Sequence, residues 1–61
     1  NRLSEKRIPV SFDYDRIVTL RNEAREKFTQ IRPISLAQAK RISGITPADI
    51  ALVLAHLERK S

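Results

Sequence analysis

The sequence contains no cysteine and no methionine, and it has only one glycine and one histidine. The absence of cysteine excludes disulfide bonds and thiolate metal sites. The lone histidine, His56, lies among alanine and leucine and is expected to be a packed or rim residue rather than a catalyst. No apolar run approaches the ~20 residues that span a bilayer. The sequence therefore predicts a domain with no metal site, no membrane contact and no catalytic activity of its own.

The 61 residues suffice for one domain. A domain of this size buries only ~60% of the surface that its unfolded chain exposes. Core material is nevertheless present as seven Ile, six Leu, three Val, two Phe and one Tyr. Because the chain begins with Asn1 and lacks methionine, we interpret it as a domain excised from a larger protein. Residues 1–7 are predicted to be a disordered or severed lead-in, and residues 8–60 a helical domain.

The charges are distributed unevenly along the chain. Twelve Lys and Arg residues oppose seven Asp and Glu residues, for a net charge of +5. Residues 27–48 contain no acidic residue but include Lys27, Arg32, Lys40 and Arg41. This asymmetry suits an anionic partner, nucleic acid above all. A solvated basic face without a nucleic-acid partner is the alternative.

The first half of the chain predicts an extended segment followed by two helices. Pro9 favours extended backbone at the preceding residue, and Ser11 or Asp13 can cap a short helix. A longer helix follows, which Asn22 could cap and Pro33 would stop. Its apolar stripe has helical spacing and is expected to face the core. The stripe consists of Leu20, Ala24, Phe28 and Ile31.

The second half predicts two more helices. Ser35 can cap a two-turn helix over "LAQAKRI", with Gly44 at its C′ position, where positive φ is tolerated. For the last helix, Thr46 is the predicted N-cap, Pro47 the first helical residue and Asp49 the partner in a capping box. Residues 48–57 are apolar apart from Asp49 and His56, so this helix is expected at the centre of the domain. The predicted fold is all-α, a small orthogonal bundle of three to four short helices.

The segment "ISGITPADIALVL" has a second interpretation. It resembles the helix-hairpin-helix element, in which two glycines let main-chain N–H groups approach nucleic-acid phosphates at a helix N-terminus. Gly44 and Pro47 fit that pattern, but Thr46 stands where the second glycine belongs. A glycine turn followed by a capped helix accounts for every residue, so the structural interpretation is preferred.

The segment from "IPVSFDYDRI" to "LAHLERK" as a whole resembles the C-terminal domain of the GidA/MnmG family of tRNA-modifying flavoproteins. The most specific part of the match is "RPISLAQAKRISGITPADI", supported by Ile8-Pro9, Phe12-Asp13-Tyr14 and Asn22-Glu23. Family members usually have Ser where Arg21 stands and Gly where Ala37 stands. These departures affect local capping and helix entry and leave the resemblance of the domain intact.

The resemblance implies a small helical domain at the end of a large cytoplasmic enzyme, a homodimer that uses FAD, NADH and a folate one-carbon donor. With the partner GTPase MnmE, this family installs a carboxymethylaminomethyl group on the wobble uridine of tRNA. The C-terminal domain is implicated in docking the GTPase and contacting tRNA. No FAD, NADH or folate residue of the family maps onto this chain.

The acid-free stretch and the resemblance together select candidate residues for contacts with tRNA or the partner. Lys40 and Arg41 rank first, before Arg32, Lys27, Arg59 and Lys60. Their expected role is phosphate neutralisation, because no aromatic side chain in this stretch is placed to stack on bases. Arg32 has an alternative structural role, which is to bond carbonyls at the end of the preceding helix. A domain that only packs against the rest of its own protein is the competing hypothesis.

Overall fold

The computed structural model describes residues 6–59, and its regular structure in that range is helical. The all-α prediction is confirmed. No helix in this part of the chain has the length and apolar character needed to cross a membrane. The elements, in chain order, are a 3₁₀ turn at Tyr14–Arg16, α1 at Asn22–Ile31, α2 at Leu36–Ala39 and α3 at Pro47–Glu58.

The N-terminal segment is an extended anchor. Arg7 and Ser35 form an isolated antiparallel bridge. On either side of it, the Ile8 N–H donates to the Ile34 carbonyl at 2.9 Å, and the Leu36 N–H donates to the Lys6 carbonyl at 3.0 Å. The sequence assigned Lys6 and Arg7 to the lead-in, but the Lys6 carbonyl is hydrogen-bonded into the fold and Arg7 lies in the bridge. Residues 1–5 of that segment lie outside the described residues. The boundary at residue 8 stays a prediction.

Aromatic side chains from the 3₁₀ turn and α1 form the middle of the core. The Tyr14 ring stacks on the Phe28 ring with centroids 4.8 Å apart, and the edge of Phe12 meets Tyr14 at 4.9 Å. Ala24 and Leu20 are buried beside them. The prediction for the fourth stripe residue is wrong, because Ile31 is 49% exposed. It is the last residue of α1.

The start of α1 differs from the prediction. Arg21, not Asn22, is the N-cap residue, and it makes no side-chain capping bond. The Asn22 side chain instead accepts a hydrogen bond from Arg25 at 2.7 Å. At the other end, Arg32 takes a left-handed conformation with φ 49°. Pro33 explains this end, because a residue before proline is disfavoured in the right-handed helical region.

Helix α2 is shorter than predicted. Ser35 caps it, accepting from the Gln38 N–H at 3.2 Å, but the helix ends at Ala39. The next amides bond three residues back, with Arg41 donating to the Gln38 carbonyl and Ile42 to the Ala39 carbonyl. Gly44 therefore does not follow the helix at C′. It lies at the end of a separate turn, residues 40–44, with φ 97°.

Helix α3 reaches the centre of the core with Val53, which is fully buried. Its other large apolar side chains, Ile50, Leu52, Leu54 and Leu57, pack against the core but remain partly exposed. The helix is thus less enclosed than its apolar sequence predicts. Helix α2, which packs on α3, has only four residues, and an apolar groove remains between the two helices.

Candidate binding surface and the corner that supports it

Residues 44–49 form a corner between the 40–44 turn and α3. Thr46 is the N-cap residue, and its hydroxyl oxygen accepts from the Asp49 N–H at 3.3 Å. The Asp49 carboxylate reciprocates by accepting from the Thr46 N–H at 2.9 Å. Pro47 occupies the first helical position, where its missing N–H leaves no unpaired donor. The corner is thus a capping box with a proline entry, as its sequence pattern predicts.

The side chain of Arg21, the N-cap residue of α1, completes the corner. The Arg21 guanidinium binds both carboxylate oxygens of Asp49, with Nη2–Oδ2 at 2.6 Å and Nε–Oδ1 at 3.2 Å. The same Nη2 donates to the Gly44 carbonyl at 2.8 Å. These bonds tie the start of α1 to the start of α3 and to the end of the turn. We call this contact the Arg21–Asp49 bridge.

Asp49 is only 1% exposed, and its carboxylate is paired with the Arg21 guanidinium. Hydrogen bonding from Arg21 holds the pKa of the Asp49 carboxyl below its ordinary value, with help from the Thr46 N–H and against the opposing effect of burial. The same contact raises the pKa of Arg21. Sequence reasoning missed this pair because the partners are 28 positions apart. The only signal was the unusual arginine at an N-cap position, which favours Ser, Thr, Asp or Asn.

The bridge bears on the helix-hairpin-helix interpretation. In that element the N-terminal amides of the second helix bind a phosphate. Here the amides of Thr46 and Asp49 are bonded within the capping box, and Pro47 has no amide hydrogen. The Asp49 carboxylate itself lies where an anion would sit and would repel phosphate. The geometry therefore argues against phosphate binding by the corner.

Three of the predicted cations lie near this corner. Lys40 is the C-cap residue of α2, and Arg41 follows it in the turn; both are exposed. Lys27, on α1, approaches the same turn, because its Nζ lies 3.6 Å from the place that a Cβ on Gly44 would occupy. The fold thus brings a cation from α1 to the turn that carries Lys40 and Arg41.

The other predicted cations lie elsewhere. Arg32 Nη1 donates to the carbonyls of Val10 at 3.2 Å and Phe12 at 2.9 Å. Its guanidinium carbon is 5.6 Å from the Tyr14 ring centroid, a cation–π distance. Arg32 thus has a structural role, but it bonds carbonyls of the N-terminal segment rather than those at the end of α1.

Arg59 is separated from the corner by the length of α3. Arg59 is exposed at the C-cap of that helix. Twelve helical residues lie between it and the N-cap, which corresponds to roughly 18 Å. Lys60 lies outside the described residues. The five predicted cations within residues 6–59 therefore do not form one patch.

An apolar groove of about 310 Å³ runs between α2 and α3. Lys40 stands at the edge of the groove. The groove therefore shares this residue with the turn of residues 40–44, which carries Lys40 and Arg41 and which we call the basic turn. Sequence reasoning did not identify this groove, because it treated the apolar residues of α3 as core. The groove is lined by Leu36, Lys40, Ile45, Thr46, Pro47, Ile50 and Leu54.

The single histidine, His56, lies on α3. His56 Nδ1 lies 3.2 Å from the Leu52 carbonyl one turn earlier on the same helix. Among residues 6–59, no three His, Cys, Asp or Glu side chains are grouped so that they could hold a metal ion. The arrangement of cations and groove is suited to binding.

Comparisons with known proteins agree with the resemblance described above. A family model described as the tRNA modifying enzyme MnmG/GidA C-terminal helical bundle matches residues 1–61. The chain is 72% identical, over its whole length, to 9% of the tRNA uridine 5-carboxymethylaminomethyl modification enzyme MnmG of Rhodopirellula baltica. It is 52% identical, over 97% of its length, to 9% of the corresponding enzyme of Lactobacillus gasseri.

A solved structure gives the same result. Aquifex aeolicus GidA, in its form II crystal, is similar with a TM-score of 0.87 and 46% identity, covering 95% of this chain and 10% of that one. The chain therefore spans about a tenth of the length of the relatives that it matches.

Proposed function

Because the chain belongs to the family of MnmG/GidA C-terminal helical bundles, we propose that it is the docking domain of a tRNA-modifying enzyme. In this proposal the domain contacts tRNA and a partner GTPase of the MnmE type. The parent enzyme, a cytoplasmic homodimeric flavoprotein, installs the carboxymethylaminomethyl group on the wobble uridine. FAD, NADH and the folate donor are assigned to other parts of the parent, and the role of this domain is binding.

The observation that carries the proposal is the position of the basic turn. Lys40 and Arg41 are exposed immediately before the corner, and Lys27 approaches the same turn from α1. The Arg21–Asp49 bridge and the capping box hold the end of this turn in place. Cations held on a fixed turn can neutralise phosphates of a folded RNA, which contributes affinity but little sequence preference.

A salt titration of tRNA binding to the 61-residue chain tests this proposal. The double variant Lys40→Ala/Arg41→Ala is compared with the wild type by plotting the logarithm of the binding constant against that of the salt concentration. Each lost phosphate contact lowers the slope by roughly 0.7–0.9, so the double variant should show a slope smaller by about 1–2. Circular dichroism verifies that both proteins are folded.

The matched control is Arg7→Ala/Arg16→Ala, which removes the same charge from two exposed residues outside the candidate set. It should lower the slope much less than the double variant in the turn. Equal slopes for both double variants would show that tRNA responds only to net charge. Absence of binding at low salt would refute tRNA contact by this domain.

A purely structural role is the second candidate, and one observation favours it. Val10 is 83% exposed and Ile34 is 61% exposed, and both belong to the segments around Arg32. Apolar residues at such positions suit a surface that packs on a neighbouring domain. Under this hypothesis Val10→Ser/Ile34→Ser would weaken association with the remainder of the parent enzyme, measured by calorimetry, while the wild-type chain would not bind tRNA.

A further inference from the structure

The groove between α2 and α3 has a floor of aliphatic side chains. Leu36 is buried at its base, and Ile50 and Leu54 lie one helical turn apart on α3. Residues four apart on a helix are neighbours on one face, so the latter two form a ridge along one wall. We propose that this groove binds an amphipathic helix of a second protein that carries acidic residues beside its apolar face. The inference rests on the proposed role in partner docking and specifies the site and the chemistry of the partner.

Charge complementarity selects an acidic occupant. Lys40 stands at the edge of the groove and Arg41 follows it. Two carboxylates lie near the lining residues 45–47, and both are paired with Arg21. Asp49 is buried, whereas Glu23 is exposed and its Oε2 lies 3.0 Å from the place that a Cβ on Gly44 would occupy, beside Lys27. An approaching partner therefore meets positive charge at the edge, and carboxylates flanking its apolar face would be attracted while lysines would be repelled.

The dimensions and walls of the groove favour a helix. The groove has a volume of about 310 Å³ and a mostly aliphatic lining, so it can receive aliphatic side chains of a partner. Helices bind such grooves by inserting side chains spaced three or four residues apart. An unstacked RNA base is a poorer occupant, because the groove lining contains no aromatic ring on which a base could stack.

Two synthetic peptides with opposite charges test the proposal. Both are of about 15 residues, the length at which an isolated helix begins to be stable, and both carry the same leucine face. One has glutamates flanking that face and the other has lysines. Titration into the isotope-labelled 61-residue chain, followed by methyl NMR, should shift Leu36, Ile45, Ile50 and Leu54. The glutamate peptide should bind on the order of tenfold more tightly than the lysine peptide, since several surface charge pairs change from attractive to repulsive.

Variants in the same helix separate groove binding from general stability. Leu54→Asn should abolish binding of the glutamate peptide. Leu57→Asn is the matched control, because Leu57 is also partly buried on α3 but does not line the groove. If either variant fails to fold, the surface substitution Lys40→Glu replaces it and should reverse the preference between the two peptides.

Several results would overturn the inference. These are equal affinity for both peptides, no binding of either at millimolar concentration, shifts confined to other faces, or a preference that Lys40→Glu does not change. Shifts of the groove methyls by tRNA, with none by the peptides, would assign the groove to RNA instead. The role in tRNA contact is judged separately by the salt slope of Arg41→Ala, because Arg41 does not line the groove.

Discussion

Replacing Asp49 by alanine removes the one polar side chain that is buried in the core among residues 6–59. Asp49→Ala deletes the acceptor for the Thr46 N–H at 2.9 Å and for two nitrogens of Arg21. It also removes a negative charge from the first turn of α3, where the helix dipole favours one. The variant therefore tests whether the corner contributes substantially to the stability of the domain.

The expected loss of unfolding free energy comes mainly from the buried hydrogen bond between the Thr46 N–H and the Asp49 carboxylate. A hydrogen bond to a charged group contributes roughly 1.5–3 kcal/mol, and this range applies to the bond from Thr46. Arg21 is exposed and regains water when the carboxylate is removed, so it adds no further penalty. We expect a loss of about 2–3 kcal/mol. A chain of 61 residues has a total free energy of unfolding of roughly 3–9 kcal/mol.

Thermal unfolding followed by circular dichroism measures this loss. One kcal/mol lowers the midpoint of a domain of this size by about 4–8 °C, so Asp49→Ala should melt roughly 10–20 °C below the wild type at pH 7. Glu26→Gln, which changes an exposed carboxylate on α1, is the control and should change stability by no more than about 0.5 kcal/mol.

The pH dependence identifies the charge as the cause. The folded state lowers the pKa of Asp49, so ionised Asp49 stabilises the domain at every pH above its ordinary value of about 3.9. This stabilisation is lost as the pH falls through the lower folded pKa. The difference in melting temperature between the wild type and Asp49→Ala should therefore be constant from pH 7 to about pH 4 and shrink below that. A difference under about 5 °C at pH 7, or one that persists undiminished at low pH, would refute the reasoning.

Two further substitutions test the neighbouring residues of the corner. Gly44→Ala should destabilise the domain by about 1 kcal/mol or more in urea unfolding, because φ is 97° and the added Cβ would lie 3.0 Å from Glu23 Oε2; an unchanged midpoint would contradict this. Thr46→Gly should lower stability by only a few tenths of a kcal/mol and leave tRNA affinity unchanged, whereas tighter tRNA binding would support the helix-hairpin-helix interpretation.

Short-range patterns were the part of the fold that the sequence predicted well. The capping box of Thr46 and Asp49 and the cap at Ser35 each depend on residues three positions apart. The end of α1 follows from the restriction that Pro33 places on Arg32. Such features are decided by local sterics and hydrogen bonding, so tertiary packing does not need to be known.

The incorrect predictions concern features that depend on distant segments. Asn22 is the first residue of α1 and not its N-cap. The N-cap residue is Arg21, whose side chain binds Asp49 and makes no capping bond to the helix. Gly44 is not at the end of α2, because the amides of Arg41 and Ile42 bond three residues back. The Arg32 side chain binds carbonyls about 20 positions away instead of those at the end of α1, and its contact with tRNA stays a prediction. Periodicity contains no information about these partners.

The same limit explains why the sequence predicted the basic residues but not the groove beside them. A run without acidic residues is visible along the chain, whereas the exposure of one side of α3 depends on how short α2 is. The structure makes Lys40 common to both surfaces, since it belongs to the basic turn and also lines the groove. If tRNA phosphates and an acidic helix both require Lys40, each ligand weakens the binding of the other by the same factor. The larger the contribution of Lys40 to both, the larger this factor is. Arg41 does not line the groove, so its removal would then weaken tRNA binding more than binding of the acidic helix.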